Sequence, residues 1–174
     1  MKITDLVTEL YKVPYKADFH PTWFPGGVEK DLNILVVKIC TDEGLEGLAS
    51  VEGPFGLLPI IRETFQYIRP LIIGDDPFKV EAIMDKLRRA AIVANRPWAV
   101  ENALWDIIGK AAGLPVYKLF GAPKNRIPVY AAWGELRGNE QRAEDALALV
   151  ESGFKAVKVR IHYAEQKKDV ALIE

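Results

Sequence analysis

Apolar positions in this chain follow three successive rhythms. Strand-like runs come first, at Ile3 to Val13, Leu32 to Cys40 and Leu45 to Glu52. Asp42 and Gly44, between the last two, supply the turn chemistry of a short hairpin loop, which makes those strands antiparallel. The stretch "YKADFHPTWFPGG" between the first two is too rich in Pro, Gly and aromatics for a regular element and predicts a long loop or lid. Helical spacing then takes over. Leu57, Leu58, Ile61, Phe65 and Ile68 make one helix, which Pro70 and Gly74 should end. Asp76 as N-cap with Pro77 opens a second, whose face is Val80, Ile83, Met84 and Leu87. A third begins near Pro97, carries Val100, Ala103, Leu104, Ile107, Ile108 and Ala111, and stops at Gly113 and Pro115. Strands followed by helices predict an α+β domain.

Beyond "GAPKNR" the rhythm alternates. Ile127 to Trp133 reads as a strand, and Asn139 caps a helix with Ala143, Ala146, Leu147 and Val150 on its apolar face. Gly153 closes that helix, "KAVKVRIHY" (155–163) is the next strand, and "AEQKKDVALIE" starts another helix. Such alternation predicts βαβ units with parallel strands. The expected division is therefore residues 1–125 as an α+β domain and 126–174 as the start of a parallel β/α domain.

Composition narrows the function classes. The chain has 174 residues, 49% hydrophobic, with a formal net charge of -1. That suits one ordinary core or one and a half small ones. Charges of both signs are interspersed, which argues against nucleic-acid and membrane partners. No apolar run approaches the roughly 20 residues that span a bilayer, and the single cysteine, Cys40, suits a reducing cytoplasm. No phosphate loop, zinc spacing or nucleophile elbow is present. Asp106 and Lys110, at i, i+4 on the third helix, read as a surface ion pair.

The strand at 155–163 carries the candidate chemistry. Val157, Val159 and Ile161 share one side, and Ala156, Lys158, Arg160 and His162 the other. Spacing alone fits a half-exposed strand whose charges meet water. Parallel strands built by βαβ crossovers are usually covered on both faces, however, and two cations facing such an interior need an anion.

"ALWDIIGKAAGLPVYKLFG" (103–121), followed by "VYAAWG" and "GFKAVKVRI", resembles the enolase superfamily and, within it, the mandelate racemase and muconate lactonizing enzyme group. The resemblance runs the length of the chain. It implies a capping domain, made of a three-stranded meander and helices, followed by the first two units of a (β/α) TIM-type barrel. It also implies a divalent metal, usually magnesium, and abstraction of the proton α to a carboxylate to form an enediolate. Pre-placed positive charge stabilises such a dianion without reorganisation. The family's metal ligands lie at the ends of the third to fifth barrel strands. They are expected beyond Glu174, so these residues should bind no catalytic metal by themselves.

The family's Lys-x-Lys motif falls on Lys158 and Arg160, and the second lysine, usually the base, is here an arginine. Arginine stays protonated and is a poor proton acceptor. Either Lys158 takes over as base, or Lys158 and Arg160 bind and polarise the substrate carboxylate while a histidine on a later strand removes the proton. The second reading is favoured.

The loop from Lys16 to Val28 matches the family's lid, with His20, Trp23 and Phe24 lining the substrate pocket and Phe55 joining from "SVEGPFG" (50–56). His162 shares the face of Lys158 and Arg160, nearer the strand's C-terminal end, where barrel active sites gather. The aromatic loop also fits packing on its own domain, and a lone histidine is often structural. The expected function is the front part of a Mg-dependent acid-sugar dehydratase, acting on a small carboxylate substrate and assembling as a homo-oligomer. The alternatives are a racemase or cycloisomerase of the same family, or an inactive capping module.

Overall fold

A computed structural model describes residues 1–174 except 25, 54–55, 91–96, 122–123, 125, 136, 160–166, 168–169 and 171–174. The chain forms two compact units, one of residues 1–14 and 31–123, the other of 15–30 and 124–174.

The first unit holds most of a sheet of strands β1 (Ile3–Phe19), β2 (Glu29–Thr41) and β3 (Glu46–Glu52), in the order β1-β2-β3. Strands β2 and β3 pair antiparallel, with Leu35 opposite Val51 and Ile39 opposite Gly47. Period-2 alternation turns Leu35, Val37 and Ile39 fully inward, while Lys38 and Glu46 form an ion pair at 3.4 Å. The hairpin loop is built as its sequence predicts. Thr41 Oγ1 both accepts from the Leu45 N–H and donates to the Leu45 carbonyl, and Gly44 takes the left-handed conformation at φ 78°.

Helices α1 (Leu58–Ile72), α2 (Val80–Ala90) and α3 (Trp98–Ala112) close over the inner face of the sheet. Phe65, Ile61, Leu87 and Leu104 are completely buried among them. Pro70 does not end α1; it lies inside the helix, which runs to Ile72. Its missing N–H removes one bond of the ladder, to the carbonyl of Gln66, and the helix ends two residues later. Asp76 caps a turn rather than α2: its Oδ1 accepts the Phe78 N–H, its carbonyl accepts the Lys79 N–H, and the helix begins at Val80. Gly113 terminates α3 at φ 64°, its N–H bonded to the Lys110 carbonyl. A short helix, α4 (Val116–Leu119), follows, and Phe120 packs against Trp105 of α3 at 4.6 Å between ring centroids.

Helix α3 also protects the sheet's free edge. Gly47 lies so close to it that a Cβ there would sit 2.0 Å from the Ala103 carbonyl oxygen. Asp106 accepts the outward-facing Leu48 N–H at 2.8 Å, and Lys110 bonds both the Glu46 carbonyl and Asp106 at 2.7 Å. The pair read from sequence as a surface bridge thus satisfies backbone groups that an edge strand would otherwise present to another chain.

The second unit corrects the lid. Strand β1 continues to Phe19 and β2 starts at Glu29, so residues 15–19 are strand, not loop. Pro14 is tolerated because β1 is an edge strand, where a missing N–H need not break a ladder. Strands β4 (Ala131–Ala132) and β5 (Val157–Lys158) pair parallel, Ala131 opposite Val157 and Ala132 opposite Lys158. Both are shorter than their apolar runs. Helix α5 (Asn139–Glu151) connects them, with Gly138 rather than Asn139 at the N-cap. Its expected apolar face is largely exposed, Leu147 at 66% and Val150 at 59%, because a two-stranded ladder offers little surface to cover it.

Candidate functional site

Backbone bonds carry the ladder of the second unit past the paired residues. The Ala131 N–H donates to the Ala156 carbonyl and the Trp133 N–H to the Lys158 carbonyl. Chain direction places Gly134 and Glu135 just beyond, at the carboxyl ends of two parallel strands. Loops gather at such ends to form active sites in barrels and in open α/β sheets.

The tip of the β1–β2 hairpin meets this end. The Thr22 N–H donates to the Gly134 carbonyl at 2.9 Å, and Pro21 forms an antiparallel bridge with Glu135. The hairpin tip is itself tightly turned: the Phe24 N–H reaches the Pro21 carbonyl, the Gly27 N–H reaches the Phe24 carbonyl, and Gly26 has φ 80°. The Phe24 ring folds over Gly27, where a Cβ would lie 1.9 Å from it. Trp23 packs on Phe19 at 5.7 Å and Phe19 on Tyr15 at 5.5 Å between centroids, so an aromatic row runs up the hairpin to the strand ends.

Beyond Glu135 the strand end is clamped. Arg137 Nε donates to Glu135 Oε2 at 2.7 Å and its Nη1 to Asp145 Oδ2 of α5 at 2.7 Å, joining the loop to the helix that follows.

The structure therefore gathers His20, Trp23 and Phe24 on one hairpin tip and sets that tip on the strand next to Lys158. His20 is exposed, and Trp23 and Phe24 are exposed by 54% and 60%. Lys158 is exposed and has no ion-pair partner among the described residues. Arg160, His162 and Phe55 lie outside the described residues. Cys40 is partly buried, and burial pushes its thiol pKa up, the opposite of what a nucleophilic cysteine needs. No group of three or more His, Cys, Asp or Glu side chains among the described residues could hold a metal ion. No helix among them is long and apolar enough to cross a membrane. Gly134 and the clamp residues Arg137 and Asp145 were not legible as site residues. A glycine at a strand end is a common punctuation mark, and the clamp spans a loop and a helix without periodic spacing.

Residues 7–121 match the family model of the mandelate racemase / muconate lactonizing enzyme N-terminal domain. The chain belongs to this family. Arabinonate dehydratase of Saccharolobus solfataricus is 29% identical over 156 residues, which cover 83% of this chain and 42% of that enzyme. A D-galactonate dehydratase family member of Musicola paradisiaca is 34% identical over 146 residues, covering 79% of this chain and 34% of that protein. The crystal structure of a dipeptide epimerase from Enterococcus faecalis, complexed with Mg and L-Leu-L-Tyr, superposes with a TM-score of 0.76 at 26% identity, covering 99% of this chain and 50% of the epimerase. The chain thus spans half or less of the length of these relatives. The three-stranded antiparallel sheet with its helices is the capping domain that the family's N-terminal region forms.

Proposed function

We propose that this chain supplies the capping domain, lid and first barrel strands of an enzyme that abstracts the proton α to a carboxylate and dehydrates an acid sugar through an enediolate. The observation that carries this reading is the seating of the hairpin tip on the carboxyl end of β4, which puts Trp23 beside the end of the strand pair that holds Lys158. Dehydratases among the curated relatives support the substrate class. The exposed apolar side chains of α5, with Ile127 and Val129 before β4, are what further strands and helices of a barrel would cover.

In this reading the lid aromatics exclude water and set the shape of the pocket, while Lys158 and Arg160 hold the substrate carboxylate and balance the charge that develops on it. A histidine on a later strand removes the proton. Magnesium would add a Lewis-acid charge at the carboxylate in the complete enzyme. The described residues offer no ligand set for it, and none of this chain's steps is assigned to it. The enzyme works in the cytoplasm as a homo-oligomer on a small carboxylate. Epimerisation is the second reading, favoured by the likeness to the dipeptide epimerase.

The test is NMR of the complete enzyme with Mg²⁺ in D₂O, supplied in turn with arabinonate, galactonate and an N-acyl amino acid. Exchange of the α-proton with loss of water supports dehydration, and exchange with retention of the hydroxyl groups supports epimerisation. No exchange with any of them would leave the inactive capping module as the surviving alternative.

A further inference from the structure

Where the hairpin tip meets β4, the contact is closest at a residue with no side chain. A Cβ on Gly134 would lie 3.0 Å from Cζ3 and 3.3 Å from Cη2 of Trp23, and 3.4 Å from Cζ of Phe19. A methyl group there would meet the edge of the indole and push it aside by a few tenths of an ångström. Two backbone links flank the contact, the Thr22 N–H to the Gly134 carbonyl and the bridge between Pro21 and Glu135. The receiving strand end is held in turn by Arg137, whose guanidinium joins Glu135 to Asp145.

We propose that Gly134 is the seat of the lid: its bare Cα lets the Trp23 indole settle against the end of β4, which brings the Thr22 N–H within reach of the Gly134 carbonyl. Gly134 is therefore a positioning residue that sets how far Trp23 projects over the strand ends, and so which substrates the mouth admits. The consequence for substrates rests on the function proposed above. The seating does not, so it is tested without substrate.

The experiment compares the whole chain with its Gly134→Ala, Trp23→Ala and double variants by amide exchange of residues 16–28 and by ¹⁹F NMR of 5-fluorotryptophan protein. The chain has four tryptophans, and the resonance lost in Trp23→Ala identifies Trp23. Gly134→Ala should shift the Trp23 resonance and speed exchange at Thr22 by about five- to tenfold, the worth of one backbone hydrogen bond. Exchange around Phe65 and Leu104 in the other unit should not change. In the Trp23→Ala background, adding Gly134→Ala should have no further effect, since the clash has been removed.

An unmoved Trp23 resonance with Thr22 still protected overturns the proposal. So does an equal loosening by Gly134→Ala in both backgrounds, which would mean that the glycine acts through its backbone and not beneath the ring. If Gly134→Ala does not fold, Trp23→Ala decides: faster Thr22 exchange supports the seat, and unchanged exchange overturns it. Failure of catalysis with an intact seat would refute the function and leave the seat standing.

Discussion

Two glycines mark places where a backbone or a ring occupies the space of a side chain. At Gly47 the obstacle is the Ala103 carbonyl, which is part of a helix and cannot rotate away. Gly47→Ala should therefore lower stability by about 1–3 kcal/mol or more, the range of overpacked cores. A urea melt followed by circular dichroism would show it as a lower midpoint, and an unchanged midpoint would mean that α3 shifts freely. At Gly134 the obstacle is the edge of an exposed indole, which can move, so the same substitution there should alter the lid and spare the fold. Charge acts at one further position. A hydrogen bond from Arg69, with a smaller one from the Leu6 N–H, holds the Asp5 carboxyl below its ordinary 3.8, outweighing the opposing effect of burial. A carboxyl depressed in the folded state contributes stability above its unfolded value and loses it as pH falls through the folded one. Asp5→Asn should therefore melt below the parent at pH 7, and the gap should close under acid conditions below 3.8. Parallel melting curves of constant separation from pH 7 to pH 2 would refute this.

Strand β3 is the sheet's edge, and helix α3 covers it with two side chains and one close backbone approach. This explains why an i, i+4 pair that sequence reads as solvent decoration matters: Asp106 and Lys110 bond the Leu48 N–H and the Glu46 carbonyl, which face away from β2. Asp106→Ala should destabilise by about 1 kcal/mol, below the usual worth of a charge-assisted hydrogen bond because the carboxylate is partly wet. It should also speed exchange of the Leu48 amide selectively. If that amide is no faster than its neighbours, the edge is not held by Asp106. Hairpin β1–β2 shows the converse. Its outer part looks like loop because Pro14 and the aromatics break the usual pattern, yet an edge strand tolerates proline and a two-stranded ribbon can carry polar side chains on both faces.

Across the molecule, burial is uneven. The first unit encloses a full core around Phe65, Ile61 and Leu104, and Phe65→Ala should cost about 3–5 kcal/mol, as for other buried phenylalanines. Loss of most native signal at room temperature would agree with it, and a shift below 1 kcal/mol would not. The second unit buries little on α5 apart from Arg142 and depends on its ladder, the hairpin tip and the Arg137 clamp. At this level the function proposed above makes a demand on Lys158. If Lys158→Met keeps α-proton exchange while losing affinity for the carboxylate, Lys158 binds and polarises. If exchange vanishes at saturating substrate, Lys158 is the base.

Local periodicity and turn chemistry determined helices α1, α2 and α3, the β2–β3 hairpin and the parallel order of the later strands, because those features depend on residues within a few positions of one another. The "ALWDIIGKAAGLPVYKLFG" stretch likewise announced the family. Tertiary structure alone decided that residues 15–19 are strand, that Asp106 and Lys110 guard an edge, and that Trp23 rests on Gly134. Each of these joins residues from 50 to more than 100 positions apart, or depends on which strand lies at the edge. No periodicity in the chain encodes a contact that exists only once the hairpin and the parallel strands stand side by side.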